Sequence, residues 1–464
     1  GSSGVTESDS GLTSSTDANL GSITFSGNTT STAVGFATNT QYVFNIWAYD
    51  SWGNSTSGTT ELVFYTLADA PGTPTVGGVT KTTSSLDIVL DSATNPSNTT
   101  YAIYESATGN YVAADNGLDS ATAVWQTTST WSDPTITGLT PNTQYTFSVI
   151  ARNGDNIETT TTSASAIYTL ADTAGTPTIG TATTSTLPIT IDVNSNSSAT
   201  TYAVYNSTDG NYLDADGAST STAVYSTTST LGSSFAATGL SLNTAYQFTV
   251  IARNGDSTDA TTSTASVAKY TLANTAGTPT IGTATTSTLP ITIDVNSNSS
   301  ATTYAVYNST DGNYLDADGA STSTAVYSTT STLGSSFAAT GLSLNTAYQF
   351  TVIARNGDST DAATSTASTA SYTNPVAPGT PSATATGQTT MTVSWSASSN
   401  GTGTVYELYN VTDSSVVATT TAVTYAVTGL TANTSYQFKV RAQYLSDNST
   451  YTSYSANSTA VSTQ

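Results

Sequence analysis

The residues best equipped for chemistry are clustered aspartates. Asp209-Gly210-Asn211-Tyr212-Leu213-Asp214-Ala215-Asp216-Gly217 recurs, letter for letter, from Asp311 to Gly319. Asp209, Asp214 and Asp216, with Asp311, Asp316 and Asp318, offer the hard oxygen ligands that Ca²⁺ takes, although no Glu closes the loop as an EF-hand requires. The second copy of the region has Thr108 and Ala113 where this one has Asp209 and Asp214. A turn rich in Asp, Asn and Gly explains the same letters without a metal, so calcium is the one cofactor to test and otherwise none is expected. Arg152-Asn153-Gly154-Asp155, repeated at Arg253 and Arg355, reads as a turn, because Asn-Gly is a strong two-residue hairpin signal. Asn-x-Ser/Thr acceptors for glycosylation stand at Asn28, Asn54, Asn98, Asn196, Asn206, Asn298, Asn308, Asn400, Asn410, Asn433, Asn448 and Asn457.

What is missing narrows the chemistry further. The 464 residues contain no Cys and no His, which removes thiolates, disulfides and the commonest general base and transition-metal ligand. Rare Glu and turn-bound Asp leave no acid/base pair, so no enzyme is expected. Thirty acidic residues against seven basic give a net charge of −23, a surface that repels nucleic acid, whose phosphates need clustered cations. No apolar run reaches the length of a membrane span. With 36% hydrophobic residues and 27 Tyr spaced along the chain, a folded β protein is expected rather than a disordered tail. Tyr111, Trp125, Trp131, Tyr212 and Tyr225 could line a sugar-binding platform, or belong to sandwich cores.

The elements that position these residues repeat. Gly-Thr-Pro begins at Gly72, Gly175, Gly277 and Gly379, at intervals of 103, 102 and 102 residues, and Thr173–Ala260 is identical to Thr275–Ala362. Each period carries one strand in a fixed frame: Tyr145, Phe147, Val149, Ala151; Tyr246, Phe248, Val250, Ala252; Tyr348, Phe350, Val352, Ala354; Tyr436, Phe438, Val440, Ala442; and Tyr42, Phe44, Ile46, Ala48. Alternation with polar residues predicts a half-buried strand. Six residues before each Tyr stands Leu139, Leu240, Leu342, Leu430 or Phe36. This spacing fits a tyrosine corner, in which the Tyr hydroxyl bonds back across the turn before its strand.

The pattern Gly-Leu-x-x-x-Thr-x-Tyr-x-Phe-x-Val-x-Ala resembles fibronectin type III domains. The resemblance is best in the last copy, where Met391-Thr392-Val393-Ser394-Trp395 is similar to the family's second strand with its core Trp, and Gly429-Leu430 through Val440 to its corner and sixth strand. Leu90, Ile191 and Ile293 stand at the Trp position in other copies. Some members of the family carry an Arg-Gly-Asp integrin motif after that strand; the Asn inserted here breaks it. The resemblance implies an all-β chain of tandem Ig-like, fibronectin type III β-sandwiches, which short Pro-bearing linkers should arrange as a semi-rigid rod.

The expected domains are 1–68, 69–171, 172–273, 274–375 and 376–464. The first is the back half of a sandwich, completed either by upstream strands or by another chain, with Phe25, Val34, Phe44 and Ile46 needing cover. Near-identity of whole copies favours a structural repeat protein, self-associating in an extracellular fibre, filament or cell-surface stalk. The alternatives are an adhesin array binding glycans or a host protein, and the accessory region of a secreted polysaccharide-degrading enzyme.

Overall fold

A computed structural model describes residues 36–44, 62–233, 235–335 and 337–464, with the backbone of the short paired strands Val5–Thr6 and Thr13–Ser14. The chain forms two compact units. One comprises residues 1–178, 189–235 and 248–266; the other comprises 179–188, 236–247 and 267–464.

The first unit holds a complete second sandwich. Thr75–Lys81, Leu86–Val89 and Thr135–Ile136 form one sheet. Thr162–Ser163, Phe147–Arg152, Thr100–Glu105 and Gln126–Thr127 form the facing one. Leu86, Ile88, Tyr101, Ile103, Ile136, Phe147 and Val149 fill the space between them, each such side chain stabilising by about 1.5–3 kcal/mol on full burial. The strand Phe147–Arg152 departs from simple alternation: Ser148 and Ile150 are buried as well. Ser148 turns its hydroxyl onto Ser163 of the neighbouring strand, 2.8 Å away, so a polar residue sits on that face without an orphaned group. The same unit contains the sheet of the third copy built on Thr201–Asn206, which pairs with Phe248–Arg253, Asn211–Leu213 and Ser226–Thr227. Of the first copy, Gln41–Phe44 pairs with Leu62–Tyr65, and Phe36 packs on Tyr42 at 4.5 Å. Phe25, Val34 and Ile46 lie outside the described residues.

The second unit repeats the pattern. In the fourth copy Leu289–Thr292 pairs with Thr280–Ile281 and Ala338–Ala339, opposite a sheet centred on Thr303–Asn308 and Phe350–Arg355, around Leu289, Tyr304, Phe337 and Phe350. In the fifth, Ser382–Ala385, Met391–Ser394 and Thr424–Val427 face Ser415–Thr420, Tyr406–Asn410 and Phe438–Ala442. Trp395 is buried in that core, 5.9 Å from Tyr406.

Sequence periodicity did not reveal three single helical turns, Thr128–Trp131, Thr228–Leu231 and Thr330–Leu333. Each follows a Thr whose hydroxyl accepts from the backbone N–H three residues on, the usual N-cap arrangement. A run of β-forming Ser and Thr conceals a cap because the same hydroxyls serve both structures.

Candidate functional site: the joints between sandwiches

Each expected tyrosine corner is present. The hydroxyls of Tyr42, Tyr145, Tyr246, Tyr348 and Tyr436 accept from the backbone N–H of Ala37, Thr140, Ser241, Ser343 and Thr431 at 2.9–3.0 Å. The corner places an Asn three residues before the Tyr: Asn39, Asn142, Asn243, Asn345 and Asn433. All five have left-handed backbone, with φ of 40°, 44°, 43°, 46° and 57°, which Asn tolerates better than other non-glycine residues.

Four of these five are buried, because each reaches into the next sandwich. Within the first unit, the Asn39 amide donates to Thr99 Oγ1 at 2.8 Å and its carbonyl accepts from Gly154 N at 2.9 Å. Asn142 likewise holds Thr200 at 2.7 Å and Gly255 N at 2.8 Å. Within the second unit, Asn243 holds Thr302 at 3.0 Å and Gly357 N at 2.8 Å. Asn345 there holds Thr404 at 3.0 Å and Leu445 N at 3.1 Å. The partner threonines are all buried, so the four bonds to them form away from water, where an unpaired group costs most. Asn433 occupies the same corner and is exposed.

The Arg-Asn-Gly-Asp turns supply the other half of three joints, and every letter has a use. Asn153, Asn254 and Asn356 donate to the carbonyls of Thr66, Thr169 and Thr271 in the preceding sandwich at 3.1, 2.9 and 3.0 Å. Gly154, Gly255 and Gly357 lie flat against Tyr65, Tyr168 and Tyr270, where an added Cβ would stand only 2.4–2.5 Å from the ring. Asp155, Asp256 and Asp358 accept from the backbone N–H of those same tyrosines at 2.7, 3.0 and 3.1 Å. Lys81 reaches Asp256 at 2.6 Å, and Lys269 reaches Asp358 at 3.0 Å. Arg253 and Arg355 brace their hairpins from behind, stacked 3.5 Å over Tyr225 and Tyr327 and paired with Asp259 and Asp361. Hydrogen bonding to these guanidiniums holds both carboxyls below the usual range. Burial, then the bond to Asp361, pushes the Tyr327 hydroxyl up to about 12.

A third Asn fixes each linker. Asn95 accepts from Asp69 N and donates to Asp69 O, both at 2.8 Å, as a neighbouring strand would. Asn196 does the same to Asp172, Asn298 to Asn274 and Asn400 to Val376, at 2.7–2.9 Å. The linker backbone is thus satisfied by side chains where no strand is available.

This geometry sorts the glycosylation acceptors. The amides of Asn196, Asn298 and Asn400 clamp linkers, and the buried amides of Asn206, Asn308 and Asn410 bond to Asp209, Asp311 and Asp413. Asn98, Asn433, Asn448 and Asn457 are exposed; Asn28 and Asn54 lie outside the described residues. The aspartates considered for calcium shape turns: Asp214 accepts from Asp216 N and Ala218 N, as Asp316 does from Asp318 N and Ala320 N. Asp209 and Asp311 hold the amides just named. Among the described residues no group of three or more potential metal ligands converges. The aromatic platform is dispersed as well. Trp131 is buried and donates to Tyr101 O, Arg152 covers Trp125, Arg253 covers Tyr225, and Tyr111 and Tyr212 pack against Tyr104 and Tyr205.

Facing sheets, tyrosine corners and copied strand order define tandem Ig-like β-sandwiches. The family model of the fibronectin type III domain matches residues 376–458, the last sandwich, and the same tyrosine corner recurs in the other copies, a tandem fibronectin type III-like arrangement. No curated protein matches it. Among solved structures it is similar to the FN1–FN3 domains of chicken CNTN1 (15% identity, 62% of this chain and 97% of that one, TM-score 0.21). It is also similar to a two-domain fibronectin type III segment of chicken tenascin (14% identity, 41% and 100%, TM-score 0.28). A Yersinia enterocolitica family 28 exopolygalacturonase matches over 19% of this chain and 20% of its own, at 16% identity and TM-score 0.17. The architecture is that of a structural or adhesion-type repeat protein, of a kind typically non-catalytic and commonly extracellular. No helix among the described residues is long and apolar enough to cross a membrane.

Proposed function

We propose that the chain is a structural spacer of an extracellular fibre, filament or cell-surface stalk, in which neighbouring copies set length and spacing. The observation that carries this reading is the joint itself. Asparagine amides that a binding array would leave free are buried between sandwiches, and the turns most like recognition loops are consumed holding them together. Seven Lys and Arg are present, and each is paired with a carboxylate or stacked on an aromatic ring. Such a surface favours spacing over capture of anionic ligands. Labelling of native material with an antibody to residues 376–464 tests the proposal: label along surface filaments or stalks supports it. Label confined to the cell interior, or saturable glycan binding lost on mutating one exposed loop, overturns it.

A further inference from the structure

Asn-Gly is the dipeptide most prone to deamidation, because the unhindered Gly nitrogen can attack the preceding side-chain amide. Five such pairs occur among the described residues: Asn116-Gly117, Asn153-Gly154, Asn254-Gly255, Asn356-Gly357 and Asn400-Gly401. The last four sit in joints. In three of them the attacking nitrogen is committed to the preceding sandwich's corner: Gly154 N to Asn39, Gly255 N to Asn142 and Gly357 N to Asn243. Gly401 N donates to Leu344 O at 2.8 Å. The amides under attack are committed too. Asn254 Nδ2 donates to Thr169 O while its Oδ1 accepts from Thr258 N at 2.8 Å, and Asn356 is held identically by Thr271 O and Thr360 N. Asn153, Asn254 and Asn356 are all buried. Only Asn116-Gly117 lies in a turn outside any joint, its Gly N–H donating locally to Asp115 at 3.1 Å.

We propose that these joints guard deamidation sites, and that deamidation converts a transient opening into a permanent one. When a joint opens, the Gly255 nitrogen loses its acceptor and attacks Asn254 Cγ. A C–N bond forms, the nitrogen gives up its proton and ammonia leaves, producing a succinimide. Water then opens the ring to aspartate or isoaspartate, with no oxidant or reductant involved. The product cannot close the joint again. A carboxylate has no hydrogen to donate to Thr169 O, and it adds a negative charge beside Asp256. The same holds at Asn153 against Thr66 O and at Asn356 against Thr271 O. A chain of such joints thereby carries a chemical record of which ones have opened.

The test is incubation of the full chain at neutral pH, followed by peptide mapping for amide-to-acid conversion and isoaspartate. Asn116 should convert first, with Asn153, Asn254 and Asn356 strongly delayed, and the delay should vanish in urea-unfolded chain. Asn142→Ala, or Asn142→Gly should the alanine variant misfold, removes two hydrogen bonds at roughly fivefold each. Conversion at Asn254 should then rise on the order of thirtyfold while Asn356 keeps its rate. Equal conversion at Asn116 and Asn254 in the native chain overturns the proposal. So does an unchanged rate at Asn254 in both variants, or equal acceleration at Asn356, which would mean general loosening. Asn254→Asp should speed exchange of the Tyr168 amide; if it does not, the product does not hold the joint open.

Discussion

Replacing Asn142 separates what the corner does for its own sandwich from what it does for the joint. Asn142→Gly removes the bonds to Thr200 Oγ1 and Gly255 N, each worth about 1 kcal/mol net. Gly accepts φ of 44° without strain. Joint closure should therefore weaken by about 2 kcal/mol, on the order of thirtyfold in the opening constant. Asn142→Ala loses the same bonds and also puts a residue that tolerates left-handed backbone less well than Asn at φ of 44°, costing about 1 kcal/mol more, but that strain persists after opening and falls on the second sandwich. The reporter for opening is the Tyr168 amide, which donates across the joint to Asp256 at 3.0 Å and is untouched by either change. In native-state hydrogen exchange it should quicken by a similar factor in both variants. The Thr140 amide, held by the Tyr145 corner, should lose protection in the alanine variant alone, by about fivefold. Asn433→Ala provides the control, since its corner has φ of 57° and lies exposed. It should destabilise the fifth sandwich by about 1 kcal/mol and leave exchange of the Tyr168 amide unchanged. Unchanged Tyr168 exchange in both Asn142 variants would refute the reasoning, because the joint would then rest on something other than these asparagines.

Other outcomes follow from single contacts. Glu105 is fully buried; burial opposes its charge, yet the N–H groups of Thr108, Thr146 and Ala107 together hold its carboxyl below the usual range. Its contribution is complete above the unfolded-state value of about 4.3 and is lost as pH falls through the lower folded value. Glu105→Asn, the residue type at 206, 308 and 410, should flatten the acid limb of the second sandwich's melting curve. Tyr246→Phe should cost about 1 kcal/mol by orphaning Ser241 N, read as faster exchange at Ser241. Asp214→Ala should loosen the turn at Ala218 by about 1–2 kcal/mol in the presence or absence of calcium; a calcium-dependent rise in Tm lost in Asp214→Ala would support the metal reading. The Asp447 carboxyl, bonded to Thr450 and Ser449, should titrate by NMR near about 2.

The order of residues alone makes the repeat and much of the fold legible. Period-two frames such as Tyr246, Phe248, Val250 and Ala252 specify which face is buried, and the Leu-to-Tyr spacing specifies the corner, because both are local geometry written in consecutive residues. It also placed the Arg-Asn-Gly-Asp hairpins, since Asn-Gly favours a turn in any context. What those turns touch was decided by tertiary structure alone. Asn142 and Gly255 are 113 residues apart, and nothing in either segment marks its partner. The visible signal was an Asn three residues before every frame Tyr, which reads equally well as an ordinary turn residue. Glycosylation acceptors show the same division. Asn196 and Asn433 carry the same three-residue pattern, yet one clamps a linker backbone and the other faces solvent. Local sequence fixes conformation because backbone preferences act over a few residues. The use of a polar side chain depends on which groups burial leaves in need of a partner, and that is settled only when two sandwiches meet.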